Sequence, residues 1–225
     1  MAFVQYSTKV PVFSSSFPAL PGLIANDMLY TLRRAMLARN NQTSTGTIFL
    51  WRGDVAMAKS HMLRKVRIEG GYLNFSAAHF ITYEGRCERL HGHNYQVQVE
   101  VEGELNQDKL VFDFTTLKRI TREICQQLDH RFLLPMYNPH FELIASLDSW
   151  EMRYQERRYV FPRSDVVELP IDNSTAERLA EHICNELYTV LKQRYDIAHL
   201  ASITVGVEEA PMQVAFYQLP IVGTS

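Results

Sequence analysis

Two histidines with one residue between them, His91 and His93, open a run that then alternates apolar and polar residues, HNYQVQVEVEGEL. Side chains two apart on a strand project from the same face. Both imidazoles therefore share the side of Tyr95, Val97, Val99 and Val101. A third, His79, ends the preceding run RKVRIEGGYLNFSAAHF on the parity of Leu73, Phe75 and Ala77. If the two runs pair as an antiparallel hairpin, His79 falls opposite the His91–His93 pair. Neutral imidazole is the commonest zinc ligand of this kind, and three protein ligands with one position open is the catalytic rather than the closed structural form of site. A metal-free cluster of three would repel itself once protonated.

Cys87 lies four residues before His91, flanked by Arg86, Glu88 and Arg89. That setting predicts an accessible thiol whose pKa is lowered by cations and a metal, able to act as a base beside a metal-bound substrate. Cys125 and Cys184 read as small buried apolar residues, and His61, His140, His182 and His199 as surface or satisfied core residues. In LDHRFLLP, Asp129 precedes His130. An Asp–His pair orients and charges an imidazole for proton transfer, and it gains meaning only if the fold brings it to Cys87.

The elements that must position these residues read as β–β–α, repeated. The first strand is broken or bulged at Gly70–Gly71, and the HNYQVQVEVEGEL strand follows. GELNQDKLVFDF predicts a turn and a short strand. Asp113 or Thr115 then caps a helix with Leu117, Ile120, Ile124 and Leu128 on its apolar side. Residues 137–170 form an excursion with two β-like runs, an inserted hairpin. A second helix starts from a capping box of Ser174 and Glu177 and buries Leu179, Ile183, Leu187 and Val190 or Leu191. ASITVGVEEAP and QVAFYQL close the chain as two strands. The pattern predicts an α+β fold: a four-stranded antiparallel sheet with two helices on one face. Its bare face and edges favour self-association.

Among the 225 residues, 46% are apolar and 21% charged, and the net charge is −2. There is no basic field for nucleic acid or anionic lipid, and no apolar run of the roughly 20 residues a membrane helix needs. Three widely spaced cysteines fit a reducing cytoplasm better than a disulfide framework. Residues 1–62 read as an N-terminal extension to a domain at 63–225. The extension holds two acidic residues, Asp27 and Asp54, and Ser/Thr clusters. NDMLYTLRRAMLARN has the periodicity of an amphipathic helix. The extension has a weakly transit-like composition without a secretory signal, and one reading puts the natural start at Met57 or Met62.

From about Lys65 to Leu219 the chain resembles the 6-pyruvoyltetrahydropterin synthase / 6-carboxytetrahydropterin synthase family. The resemblance rests on FSAAHF, CERLHGHNY, VFDFTTLK, LDHRFL, NSTAERLA and VGVEEAP, which occur in the family's order. It implies a tunnelling fold whose trimers close sheets into an oligomeric β-barrel, usually two trimers to a hexamer. It implies zinc on His79, His91 and His93 and 7,8-dihydroneopterin triphosphate as substrate. It further implies Cys87 as the proton-abstracting base, Asp129 and His130 as the pair handling the other proton, and active sites between subunits. Glu209, next to Glu208, matches the glutamate that holds the pterin ring, and Thr175 a threonine at the pterin pocket.

Within the family, three residues between Cys87 and the HGH motif match the 6-carboxytetrahydropterin synthases of queuosine (7-deazaguanine) biosynthesis, which lose triphosphate and acetaldehyde. Glu88 complicates this, because relatives with a glutamate at that spot form 6-hydroxymethyl-7,8-dihydropterin for folate. Glu88 is thus a second candidate acid or base, or a solvated loop charge. A different class, a non-catalytic pterin- or zinc-binding module on the same fold, is opposed by the set Cys87, Asp129 and His130. Arg86, Arg89 and Arg131 are candidates for triphosphate contacts.

Overall fold

The computed structural model describes residues 62–221. The extension up to residue 61, with its expected helix, lies outside the described residues. The strands are β1 (Arg64–Ile68), β2 (Asn74–His79), β3 (Thr82–Tyr83), β4 (Arg86–Cys87), β5 (His91–Gly103), β6 (Arg131–Pro135), β7 (Glu142–Ala145), β8 (Ser149–Tyr154), β9 (Arg157–Pro162), β10 (Val166–Leu169), β11 (Leu200–Ala210) and β12 (Gln213–Pro220). Among the described residues two helices, α1 (Phe114–Leu128) and α2 (Ala176–Arg194), complete the α+β arrangement.

The main sheet has seven strands, not four, and is mixed. Its order is β10-β6-β2-β5-β11-β12, with β1 also on β5. The first run breaks at Gly70–Gly71, where Gly70 adopts φ 134°. Its halves pair with successive stretches of β5: Ile68 opposite Val99, then Asn74 opposite Gln96. β6 and β10 widen the sheet as parallel neighbours of β2 and of each other. β6 comes from RFLLP, directly after α1, where the apolar run reads equally well as a helix end. Among the described residues the sheet is open, with β10 and β12 at the two ends of its order.

One face carries the core. Phe75, Tyr95, Val97, Val99, Ile203, Val205 and Val207 are buried against Leu117, Ile120 and Leu128 of α1 and Leu179, Ile183 and Leu187 of α2. The other face is polar, with Lys65 and Arg67 both paired to Glu100.

The cap of α1 is Asp113, whose carboxylate accepts from the Thr116 amide. No strand forms between the Asn106–Leu110 turn and this cap; Val111 and Phe112 are buried in irregular backbone. Too few residues separate turn and cap for a ladder to grow. The cap of α2 is Thr175, one residue later than the capping box predicts. Ser174 instead donates its hydroxyl to the Phe80 carbonyl at 2.7 Å.

The 137–170 excursion contains a three-stranded antiparallel sheet, β7-β8-β9, rather than a hairpin, and its last run becomes β10 of the main sheet. It packs its own apolar cluster, with Trp150, Met152 and Tyr154 against Phe80, Phe132 and Leu134. This appendage thereby covers the segment that leaves β2.

Candidate active site

The burial of β2 and β5 alternates, so Phe75, Ala77 and His79 face inward from β2, and Tyr95 and the valines from β5. The register sets His79 opposite His91 and Ala77 opposite His93. His79, His91 and His93 thus meet at the end of the helix-covered face, with one ligand atom from each lying within 4.8 Å of the others. Between the strands, residues 80–90 turn back through the β3–β4 pair, with positive φ at Glu84 and Gly85 (49° and 69°). Two consecutive positive φ angles make the two-residue turn that matches strand twist.

The ring orientations favour a cation. His79 Nδ1 lies 2.8 Å from the Ser174 carbonyl, and His91 Nδ1 lies 2.8 Å from the Arg89 carbonyl. A carbonyl only accepts, so each Nδ1 carries the proton and each Nε2 offers a lone pair. Those two Nε2 atoms are 3.0 Å apart. His93 Nε2 and Glu209 Oε1 are buried without a hydrogen-bond partner. Facing lone pairs and unpartnered buried polar atoms are costly unless a positive ion sits among them. Burial also holds the His79 imidazole down to about 4 and so keeps it neutral. The triad fits a divalent metal, and Glu209 adds negative charge beside it, 3.6 Å from both His79 Nε2 and His93 Nε2.

Glu209 continues the parity of Ile203, Val205 and Val207 on β11. Glu208 points the other way and accepts from the Met212 amide of the β11–β12 turn. Parity therefore tells the two glutamates apart, a signal already in the sequence. Sequence reasoning also missed Tyr95, whose hydroxyl stands 3.2 and 3.3 Å from the two ring nitrogens of His79. Burial, with the Glu209 carboxylate nearby, pushes this phenol well above its ordinary value.

Cys87 is not the open thiol its neighbours predict. It is half-buried against the appendage's apolar cluster, and its Sγ lies 3.4 Å from the Glu88 carbonyl. Burial pushes the thiol up, and the cation that opposes this is Arg157 of the appendage, not Arg86 or Arg89. Glu88 reaches the cluster, with Oε2 3.6 Å from His91 Nε2. The Thr175 hydroxyl is occupied at the helix cap, 3.5 Å from the Arg178 amide. Arg131 donates to the Ser164 carbonyl.

Asp129 and His130 dock together on Ser76. The Ser76 amide donates to Asp129 at 2.8 Å, and the His130 amide donates to the Ser76 carbonyl at 2.7 Å. A positive φ of 55° at His130 permits this turn. His130 Nδ1 lies 2.9 Å from Asp129 Oδ2, and the ring is largely exposed. Among the described residues no hydrogen bond or ion pair joins this pair to Cys87, Glu88 or the three histidines.

With this geometry in hand, comparison with known proteins decides the family. Residues 72–220 match the family model described as 6-pyruvoyl tetrahydropterin synthase. The chain belongs to this family. It is 36% identical over 147 residues to a putative 6-carboxy-5,6,7,8-tetrahydropterin synthase of Methanocaldococcus jannaschii, covering 65% of this chain and 90% of that protein. A dihydroneopterin monophosphate aldolase of Pyrococcus furiosus is 42% identical over 73 residues, 32% of this chain and 62% of its own length. Among solved structures, a Plasmodium vivax 6-pyruvoyltetrahydropterin synthase aligns with a TM-score of 0.65 at 33% identity. That alignment covers 71% of this chain and 99% of the other, a variant in which a catalytic glutamate is replaced by alanine. Members of the 6-pyruvoyl tetrahydropterin synthase family are lyases of pterin biosynthesis, and a tetrahydropterin synthase-like function follows for this chain.

Proposed function

We propose that the protein is a zinc-dependent lyase that converts 7,8-dihydroneopterin triphosphate to 6-carboxy-5,6,7,8-tetrahydropterin, releasing triphosphate and acetaldehyde, as in queuosine biosynthesis. The observation that carries this is the convergence of His79, His91 and His93 with the Glu209 carboxylate beside them. The three imidazoles would hold zinc, which supplies Lewis acidity to hydroxyls of the substrate's side chain.

The remaining roles belong to the chain's own groups. Glu209 can accept two hydrogen bonds from the amino and ring N–H groups of a pterin, which orients the ring with its side chain toward the histidines. Cys87, as thiolate, takes the carbon-bound proton. The Asp129 carboxylate holds His130 with Nδ1–H directed at it, leaving Nε2 free to move the second proton. Because no hydrogen bond or ion pair joins the pair to its own cluster among the described residues, it would serve the site of a neighbouring protomer in a trimer or hexamer that closes the open sheet into a barrel. Thr175 would border the pterin pocket.

A second reading is favoured by one distance. Glu88 Oε2 is 3.6 Å from His91 Nε2, whereas the Cys87 thiol packs against the appendage. A glutamate base there would suit side-chain cleavage to 6-hydroxymethyl-7,8-dihydropterin, the folate branch.

Incubating the zinc-loaded protein with 7,8-dihydroneopterin triphosphate and identifying products by mass spectrometry tests both. 6-Carboxytetrahydropterin with acetaldehyde supports the first reading. Hydroxymethyl-dihydropterin alone rejects it for the second, and no turnover of any pterin leaves a binding module.

A further inference from the structure

Within the segment between His79 and His91, β3 and β4 are two residues each, pairing Thr82 with Cys87 and Tyr83 with Arg86, and the Glu88 amide donates to the Ile81 carbonyl at 2.9 Å. The carbonyls of Cys87 and Glu88 are held from outside. Arg157, the first residue of β9, donates from one guanidinium nitrogen to the Cys87 carbonyl at 2.6 Å and from another to the Glu88 carbonyl at 2.9 Å. Beneath it lies the Tyr154 ring, 5.0 Å from ring centroid to guanidinium carbon. The Tyr154 hydroxyl donates to the Gly85 carbonyl at 2.6 Å.

Among the described residues Arg157 forms no ion pair, and its guanidinium is committed to these two carbonyls. Its rigid fork, which suits two parallel acceptors, closes on the two consecutive peptides that bear both candidate bases. One of these bases is already within 3.6 Å of His91.

We propose that Arg157 is a positioning residue: its fork fixes the Cys87–Glu88 backbone and so aims the base at the substrate on the histidine cluster. The appendage is then a working part of the site, reaching it through Arg157 and Tyr154. This rests on the reading that Cys87 or Glu88 removes the proton. Displacement of a base by about 1 Å can cost on the order of 100-fold in rate. Loss of the fork should therefore lower kcat far more than it changes KM, because the groups that hold the pterin and the metal are untouched.

The test uses the full zinc-loaded chain with two readouts. In Arg157→Ala, kcat on 7,8-dihydroneopterin triphosphate should fall roughly 10- to 100-fold, with KM and bound zinc little changed. Amide exchange across residues 81–90 should quicken by about 10-fold relative to the rest of the sheet. Arg157→Lys, with a single point donor, should recover part of both. If Arg157→Ala does not fold, Arg157→Lys and Tyr154→Phe carry the same readouts. Unchanged kcat, or unchanged exchange over 81–90 with only a lower Tm, would overturn the proposal. Quickened exchange in a chain whose unsubstituted form turns over no pterin would instead sink the reading of the reaction and leave Arg157's hold on the segment standing.

Discussion

The Nε2 atoms of His79 and His91 face one another at 3.0 Å while both rings give Nδ1–H to backbone carbonyls. Neither nitrogen can donate to the other. Purified full-length protein should therefore carry about one divalent ion per chain by elemental analysis. His79→Ala, His91→Ala and His93→Ala should each lose it, with an activity loss exceeding the roughly 10- to 100-fold typical of an outer partner. Retention of metal by all three variants would refute the site.

Gly92 sits between two of these histidines, and a Cβ there would lie 2.7 Å from the Ala77 carbonyl oxygen. Gly92→Ala must push β2 and β5 apart at the register that opposes His79 to His91. A destabilisation of about 1–3 kcal/mol is expected, with weakened metal binding. Gly71, where nothing lies within 4 Å of an added Cβ, is the control: Gly71→Ala should stay within about 0.5 kcal/mol. Denaturant titrations of the two variants, with and without zinc, make the comparison.

Burial holds His79 at about 4 in the folded state, against about 6.5 when free in solution. The folded state thus binds fewer protons between these values, and its stability is fully present above pH 6.5. As pH falls through that window the metal-free protein should lose on the order of 3 kcal/mol. Urea midpoints between pH 7 and pH 4 measure this. His79→Gln should flatten the slope.

Cys87 and Glu88 can be separated by products. If the thiolate is the base, Cys87→Ala should abolish turnover while zinc and fold persist, and Glu88→Gln should remain active. If Glu88 takes the proton, the losses reverse and hydroxymethyl-dihydropterin should vanish in Glu88→Gln. A general base contributes typically about 10²–10⁴-fold, large enough to read by mass spectrometry of the quenched reaction.

Strand parity made most of the cluster legible. Alternation along HGHNYQVQVEVEGEL puts His91 and His93 with the buried valines; the same rule, left unapplied to VGVEEAP, would have separated Glu209 from Glu208. Helical stripes were equally plain: Leu117, Ile120, Ile124 and Leu128 are all buried. The cap of α2 was one residue off because Ser174 and Thr175 both suit it, and only the distant Phe80 carbonyl claims Ser174. RFLLP and VVEL gave no sign of joining the main sheet, because parallel neighbours lack the short turn that marks a hairpin. Arg157 was invisible for the same reason. Its acceptors lie about 70 positions earlier in the chain, at Cys87 and Glu88, and no local pattern encodes such a reach. The burial of Cys87 followed from the appendage, whose third strand the β-like runs did not reveal.

From Gln96 onward β5 is flanked on both sides, by β1 or β2 along one edge and by β11 along the other, while His91 and His93 are paired through β2. Two of the three imidazoles hang from its first turn-proximal residues, and backbone fraying there would have to tear bonds to β2. An ion seated among them would have to depart by side-chain rotation, not by peeling of the chain. Exchange with free zinc should accordingly be slow, and a radioisotope chase would be expected to run over hours while the fold stays intact.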